Sequence, residues 1–213
     1  MIVPFGKYNS LQLSDGSKVW INSGSRLVYP PAFSGKTREV YLQGEAYFEV
    51  AKDPGKPFYV KTDRFRVEVK GTRFSVQANE REELFTTLLL EGEVSLTIGQ
   101  DKSASGTETK LNPGNIASLT ENGKNFRVMP VDHPENYVAW KNGYLLFSDE
   151  PLSELLQRVS RYYNIVIELR NSSRSVKISG KLDLKDDPGR VFKGISAISR
   201  CMLISEQGKY IFN

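Results

Sequence analysis

The chain has 213 residues, 39% hydrophobic and 11% aromatic, enough for one large β domain or two small domains with real cores. Its formal charge of +4 is spread among apolar residues, as at Arg64, Arg66 and Lys70; with no basic cluster beside stacking aromatics, a nucleic-acid face is not expected. No run nears the roughly 18 apolar residues that span a bilayer, MIVPFGKYNS has no apolar signal core, and a single cysteine excludes an internal disulfide.

From Leu11 to Val131 the dominant period is two. Alternating runs occur at Lys18 to Asn22, Glu39 to Leu42 and Ala46 to Val50, separated by turn signals such as Asp15-Gly16 and Gly44. Phe65 to Lys70 places three apolar residues on one side and three charged residues on the other, and Phe74 to Ala78 and Val94 to Ile98 repeat the pattern. Leu88 to Leu90, preceded by Thr86-Thr87 and closed by Glu91-Gly92, reads as a strand. Residues 100–110 have the composition of a flexible hairpin tip. Glycine spacing is irregular, so the expected form is a twisted, solenoid-like roll of two sheets without a fixed repeat.

The period changes after residues 132–143, which read as a linker. Leu152, Leu155, Leu156, Val159 and Tyr163 form one helical face, with Ser148 or Asp149 available as cap and Asn164 as a left-handed end. A second helix is predicted over Asp187 to Arg200, capped by Asp187, with Pro188 at its first position and Val191, Phe192, Ile195 and Ile198 buried. Strands are expected at Tyr144 to Phe147, Val166 to Leu169, Val176 to Lys181, Met202 to Ser205 and Lys209 to Phe212. The fold class is therefore mainly β with a small α/β domain: an all-β unit over 1–131 and a β-α-β-β-α-β-β unit over 144–213.

Little here suggests chemistry. His133 lies in the linker, and Cys201 precedes an apolar run as a buried thiol would. No CxxC, HExxH, phosphate-loop or dinucleotide fingerprint occurs, and residues 181–187 lack the acidic spacing of a calcium loop. Glu45, Glu49 and Asp53, with Glu91 and Glu93, are the only material for a two-carboxylate enzyme; Glu45 and Glu49 could share one strand face. The expectation is a binding protein, with no enzyme activity, cofactor or metal.

Several segments resemble the FecR family of anti-sigma regulators: LSDGSKVWINSGSRLVYP, REVYLQGEAYFEVAKDPGKPFYVKT, VEVKGTRFSVQA, LLEGEVSLT and LNPGNIASL. WKNGYLLFSDEPLSELLQRVSRYYNIVI, with SGKL downstream, resembles the C-terminal domain that accompanies them, similar in layout to the secretin and TonB short N-terminal module. The resemblance implies an inner-membrane regulator whose cytoplasmic segment holds an extracytoplasmic-function sigma factor. Its periplasmic part receives a signal from the N-terminal domain of a TonB-dependent transducer. The sequence lacks the cytoplasmic segment and membrane helix of that pattern, so it reads as the periplasmic portion.

A small α/β unit offers strand edges to which a partner can add a strand. The candidate strands supply Val166 and Ile167, Val176 and Ile178, or Tyr210 and Phe212 as partner-binding residues. The alternative is a carbohydrate-binding β module with Trp20, Tyr29, Tyr41 and Tyr47 as an aromatic platform, Trp20 pointing outward with Lys18 and Asn22. A third, a glycoside-active enzyme, would use Glu45 or Glu49.

Overall fold

The computed structural model describes residues 1–79, 84–99, 108–120, 125–170, 176–206 and 209–213. Most of the hairpin tip expected at 100–110 lies outside the described residues.

The alternating half of the chain forms twelve strands: β1 (Asn9–Gln12), β2 (Lys18–Ile21), β3 (Arg26–Val28), β4 (Arg38–Glu49), β5 (Phe58–Lys61), β6 (Phe65–Val69), β7 (Arg73–Asn79), β8 (Leu84–Glu91), β9 (Val94–Ile98), β10 (Glu108–Leu111), β11 (Asn115–Thr120) and β12 (Asn125–Pro130). They run in the order β10-β9-β6-β5-β4-β7-β8-β11-β12, with β2 and β3 also on β4, and β1 on β2. This is the expected two-sheet roll, and β4 is its spine. Arg38 to Gln43 pair with β5 and β3; Gly44 to Glu49 pair with β7 and β2. Gly44, at φ +96°, sits where the strand passes from one sheet to the other, and its missing Cβ leaves room for Ser25.

Period two explains the core. Val40, Leu42, Ala46 and Phe48 of β4 point inward with Phe65, Val67 and Val69 of β6 and Phe74 and Val76 of β7. The Phe48 and Phe74 rings stack at 5.1 Å. Arg38 is buried in this core. Its Nη1 is 2.7 Å from Asp15, which also accepts from the backbone and hydroxyl of Ser17, and its guanidinium donates to the carbonyls of Ala51 and Lys56. The guanidinium lies 5.4 Å from the Phe58 ring centre.

The second unit follows the predicted order. Strands β13 (Tyr144–Pro151) and β15 (Lys177–Asp183) form an antiparallel pair, while β14 (Ile167–Leu169), β17 (Lys209–Phe212) and β16 (Leu203–Glu206) form a three-stranded sheet, flanked by α1 (Leu152–Tyr163) and α2 (Pro188–Ser199). Asp187 caps α2 by accepting the Arg190 N–H at 3.1 Å, and Asn164 ends α1 at φ 55°. Four expectations need correction. Neither Ser148 nor Asp149 caps α1, because β13 continues through a bulge to Pro151 and places Asp149 at φ 49°. Tyr162, not Tyr163, completes the fully buried stripe of α1; in α2, Ile198 is 43% exposed and Ser199 is buried instead. The residues read as a linker carry a 3-10 helix, Pro134–Asn142, whose Val138, Ala139 and Trp140 are buried.

Candidate functional site

The two units meet along a seam. The outward face of β4 carries Glu45, Tyr47 and Glu49, opposite to the residues that fill the first core. Tyr47 is nevertheless only 2% exposed, because it belongs to the second core, which also holds Trp140, Leu145 and Leu155. Its ring lies 5.5 Å from Trp20, and the Lys141 ammonium sits 4.2 Å from the Tyr47 centroid and 5.0 Å from that of Trp20. The Tyr47 hydroxyl donates to Glu49 at 3.2 Å, and Lys141 lies 3.7 Å from the same carboxylate. Burial, then the Glu49 charge, holds the Tyr47 phenol well above the usual tyrosine pKa.

A second joint lies at the end of α1. The Tyr162 carbonyl accepts the Gly6 N–H at 2.8 Å and the Ser23 hydroxyl, and the Tyr162 hydroxyl donates to the Gly6 carbonyl at 3.3 Å. The Tyr162 phenol, half-desolvated there, is pushed up to about 12. Phe5 packs where Gly24 has no side chain.

Beside these joints the units enclose a cleft of about 1220 Å³. Its floor is a polar row paired across four strands: Glu45 of β4, Gln77 of β7, Thr86 of β8 and Ser118 of β11. Arg158 and Arg161 of α1 and Trp140 form part of the wall. Glu45 accepts from the Asn22 amide at 2.8 Å. Burial raises its pKa, against the opposing pull of Arg161, the Asn22 bond, Arg158 and Trp140. Glu150, 2.8 Å from Arg158, is likewise raised by burial.

These surroundings bear on each candidate. Glu45 and Glu49 do share a face of β4, each with partners of its own, and Asp53 accepts from Gly55 in a turn. Of the four proposed platform aromatics, Trp20 and Tyr47 adjoin each other, under Lys141. The Tyr41 hydroxyl donates to Asp63, and Tyr29 packs on the first core. His133 is exposed, 3.2 Å from Glu135, and Cys201 is buried.

The six proposed partner-binding residues do not form one surface. Val166 precedes β14, is 65% exposed and lines the cleft with Ile167. Val176 lies just before β15, where its carbonyl accepts from Leu152. Ile178 is on β15 but its side chain is in the core. Tyr210 and Phe212 belong to β17, the middle strand of its sheet, paired to β14 on one side and β16 on the other. That strand offers no free edge, which corrects the expectation for it. Among the described residues β15 has a ladder partner only in β13, and β14 only in β17.

Residues 3–95 match the family described as FecR protein, and residues 144–212 match FecR, C-terminal. The chain belongs to the FecR family of anti-sigma regulators. It is also similar to two crystal structures from Parabacteroides distasonis ATCC 8503, both described as a candidate anti-sigma factor. One, at 1.65 Å resolution, is 26% identical with a TM-score of 0.81, over 100% of this chain and 97% of the other. The second, at 2.50 Å, is 26% identical with a TM-score of 0.79, over 100% and 96%. No curated protein matches the sequence.

The FecR unit and the C-terminal unit thus each bring part of the seam. Sequence reasoning did not single out Trp140, Tyr137, Arg158 or Arg161. One signal was available: a tryptophan and a tyrosine within four residues are unusual in a solvated linker.

Proposed function

We propose that this chain is the periplasmic, signal-receiving portion of a FecR-type transmembrane regulator. It binds the N-terminal signalling domain of a TonB-dependent outer-membrane transducer and passes the signal to an extracytoplasmic-function sigma factor. Family membership supports the regulatory role. The observation that carries the binding mode is the two-stranded β13–β15 sheet, whose β15 has unpaired backbone groups on the side away from β13 among the described residues. Such an edge accepts a strand from another chain. No helix among the described residues is long and apolar enough to cross a membrane.

Hydrogen exchange tests this directly. Titrating the transducer's signalling domain into the chain slows amide exchange within Lys177–Asp183. Absence of binding at high micromolar concentration refutes the receptor reading. Tight binding with no added protection along β15 refutes the choice of edge alone. Proline at Ile178 is a poor substitute, because that side chain is buried and its loss would damage the core.

A further inference from the structure

The cleft has an acidic corner. Tyr137, on the 3-10 helix, is 46% exposed and lines the cleft with Asp132, Glu150 and Glu154. The three carboxylates act together on its phenol: its pKa is raised by burial, then by Glu150, Glu154 and Asp132, with Arg158 opposing. Glu150 is engaged by Arg158, whereas Asp132 and Glu154 are exposed and form no ion pair among the described residues. Among the charged residues lining the cleft, Glu45, Asp132, Glu150 and Glu154 stand against Arg158 and Arg161, while Asp149 is answered by Lys177. This region is net negative in a chain whose formal charge is +4, so it selects for cations and against polyanions. Three of the chain's exposed large apolar residues, Phe5, Met129 and Val166, also line it. A purely polar cation would leave them uncovered, and an apolar ligand would leave the carboxylates unanswered. The volume admits several residues of extended polypeptide.

We propose that the cleft receives a lysine- or arginine-bearing segment of a partner protein. The cation lies over the Tyr137 ring between Asp132 and Glu154, and neighbouring apolar side chains rest on Phe5, Met129 and Val166. An ammonium or guanidinium over a tyrosine face flanked by carboxylates gains from both the ring and the charges. The proposal rests on the reading of this chain as a receptor for a protein signal, but it names a surface separate from the β15 edge.

Calorimetric titration with a short acetylated, amidated peptide of alternating lysine and valine tests it. The control is the same peptide with glutamate for lysine. The lysine peptide binds, the glutamate peptide does not, and the double variant Asp132→Lys, Glu154→Lys weakens binding by about tenfold or more. Both positions are exposed, so the fold tolerates the change; Tyr137→Leu keeps the fold by a different route and also weakens binding. No heat with the lysine peptide at millimolar concentration, equal binding of both peptides, or full affinity in both variants overturns the proposal. If the transducer's domain binds the double variant as it binds the unaltered chain, this inference falls and the proposed function stands.

Discussion

Replacing Tyr47 asks whether the seam holds the two units as one body. Tyr47→Ala deletes a phenol that is 2% exposed and packs among residues of the second core. Truncating a buried aromatic costs about 3–5 kcal/mol through lost transfer energy and the cavity left behind. The Lys141 ammonium, 4.2 Å from the ring centre, loses a cation–π contact worth about 0.5–1 kcal/mol at a partly exposed site. Tyr47→Phe removes only the 3.2 Å hydrogen bond to Glu49, worth about 1 kcal/mol. The chain supplies a probe, because its two tryptophans, Trp20 and Trp140, both lie at this seam. Their fluorescence in a urea titration reads the joint, and far-UV circular dichroism reads the strands. For Tyr47→Ala the fluorescence transition moves to lower urea than the dichroism transition; for Tyr47→Phe the two stay together. A loss under about 1 kcal/mol in Tyr47→Ala, with coincident transitions, would refute the claim that Tyr47 joins the units.

Other substitutions test the parts beneath that joint. Gly44→Ala drives a Cβ into the Ser25 side chain at φ +96°, so calorimetric unfolding shows a loss of about 2–4 kcal/mol. Asp15→Ala leaves the buried Arg38 guanidinium without its carboxylate and costs about 3–5 kcal/mol in urea denaturation, with part recovered when Arg38→Met is added. Glu45 has a pKa raised above 4.5 in the folded chain, so the folded state holds its proton more tightly than the unfolded state does. Stability from this group is greatest below pH 4.5 and declines as pH rises through the raised value. Glu45→Gln therefore gains on the unaltered chain as pH rises toward neutrality and matches it in acid; urea midpoints across that range check the sign. Equal slopes for the two proteins would show that the fold does not hold the Glu45 proton more tightly than the unfolded chain does.

Strand identities were legible because the first core is built from alternation alone. Phe65, Val67 and Val69 point inward in the order the sequence suggests, and β2, β6, β7 and β9 follow from such runs, whereas β4 joins two runs that Gly44 was expected to separate. The helices were equally plain, since Asp187-Pro188 and Asn164 are local signals acting on neighbouring backbone. Asp149 shows the limit of local reading. A good capping residue ahead of an apolar helical stripe was overruled by β15, which extends β13 past it; Lys177 pairs with Asp149 and the Ser179 hydroxyl accepts the Asp149 N–H at 2.9 Å. Arg38 went unnoticed for a similar reason, since its partner Asp15 is brought close only when β4 has paired.

The site was harder to read, and Trp20 shows why. Alternation placed it on the face of its strand that looks away from the first core, and the structure agrees: Val19 and Ile21 are in that core and Trp20 is not. Outward is not free, however, because Trp20 is partly buried against the second core. In a chain with two packed units, the outer face of one sheet is available as the inner face of a joint, and Trp20 and Tyr47 are used that way beneath Lys141. The same reasoning applied to β17 in reverse: a terminal strand is an edge only if nothing precedes it in the sheet, and the parallel addition of β14 makes it central. Large aromatics on a polar strand face, followed much later by a second unit, are therefore better read as a request for that unit than as a ligand platform. Tyr137 is the exception that supports the rule, since it remains half exposed at the seam's acidic end, where neither unit covers it.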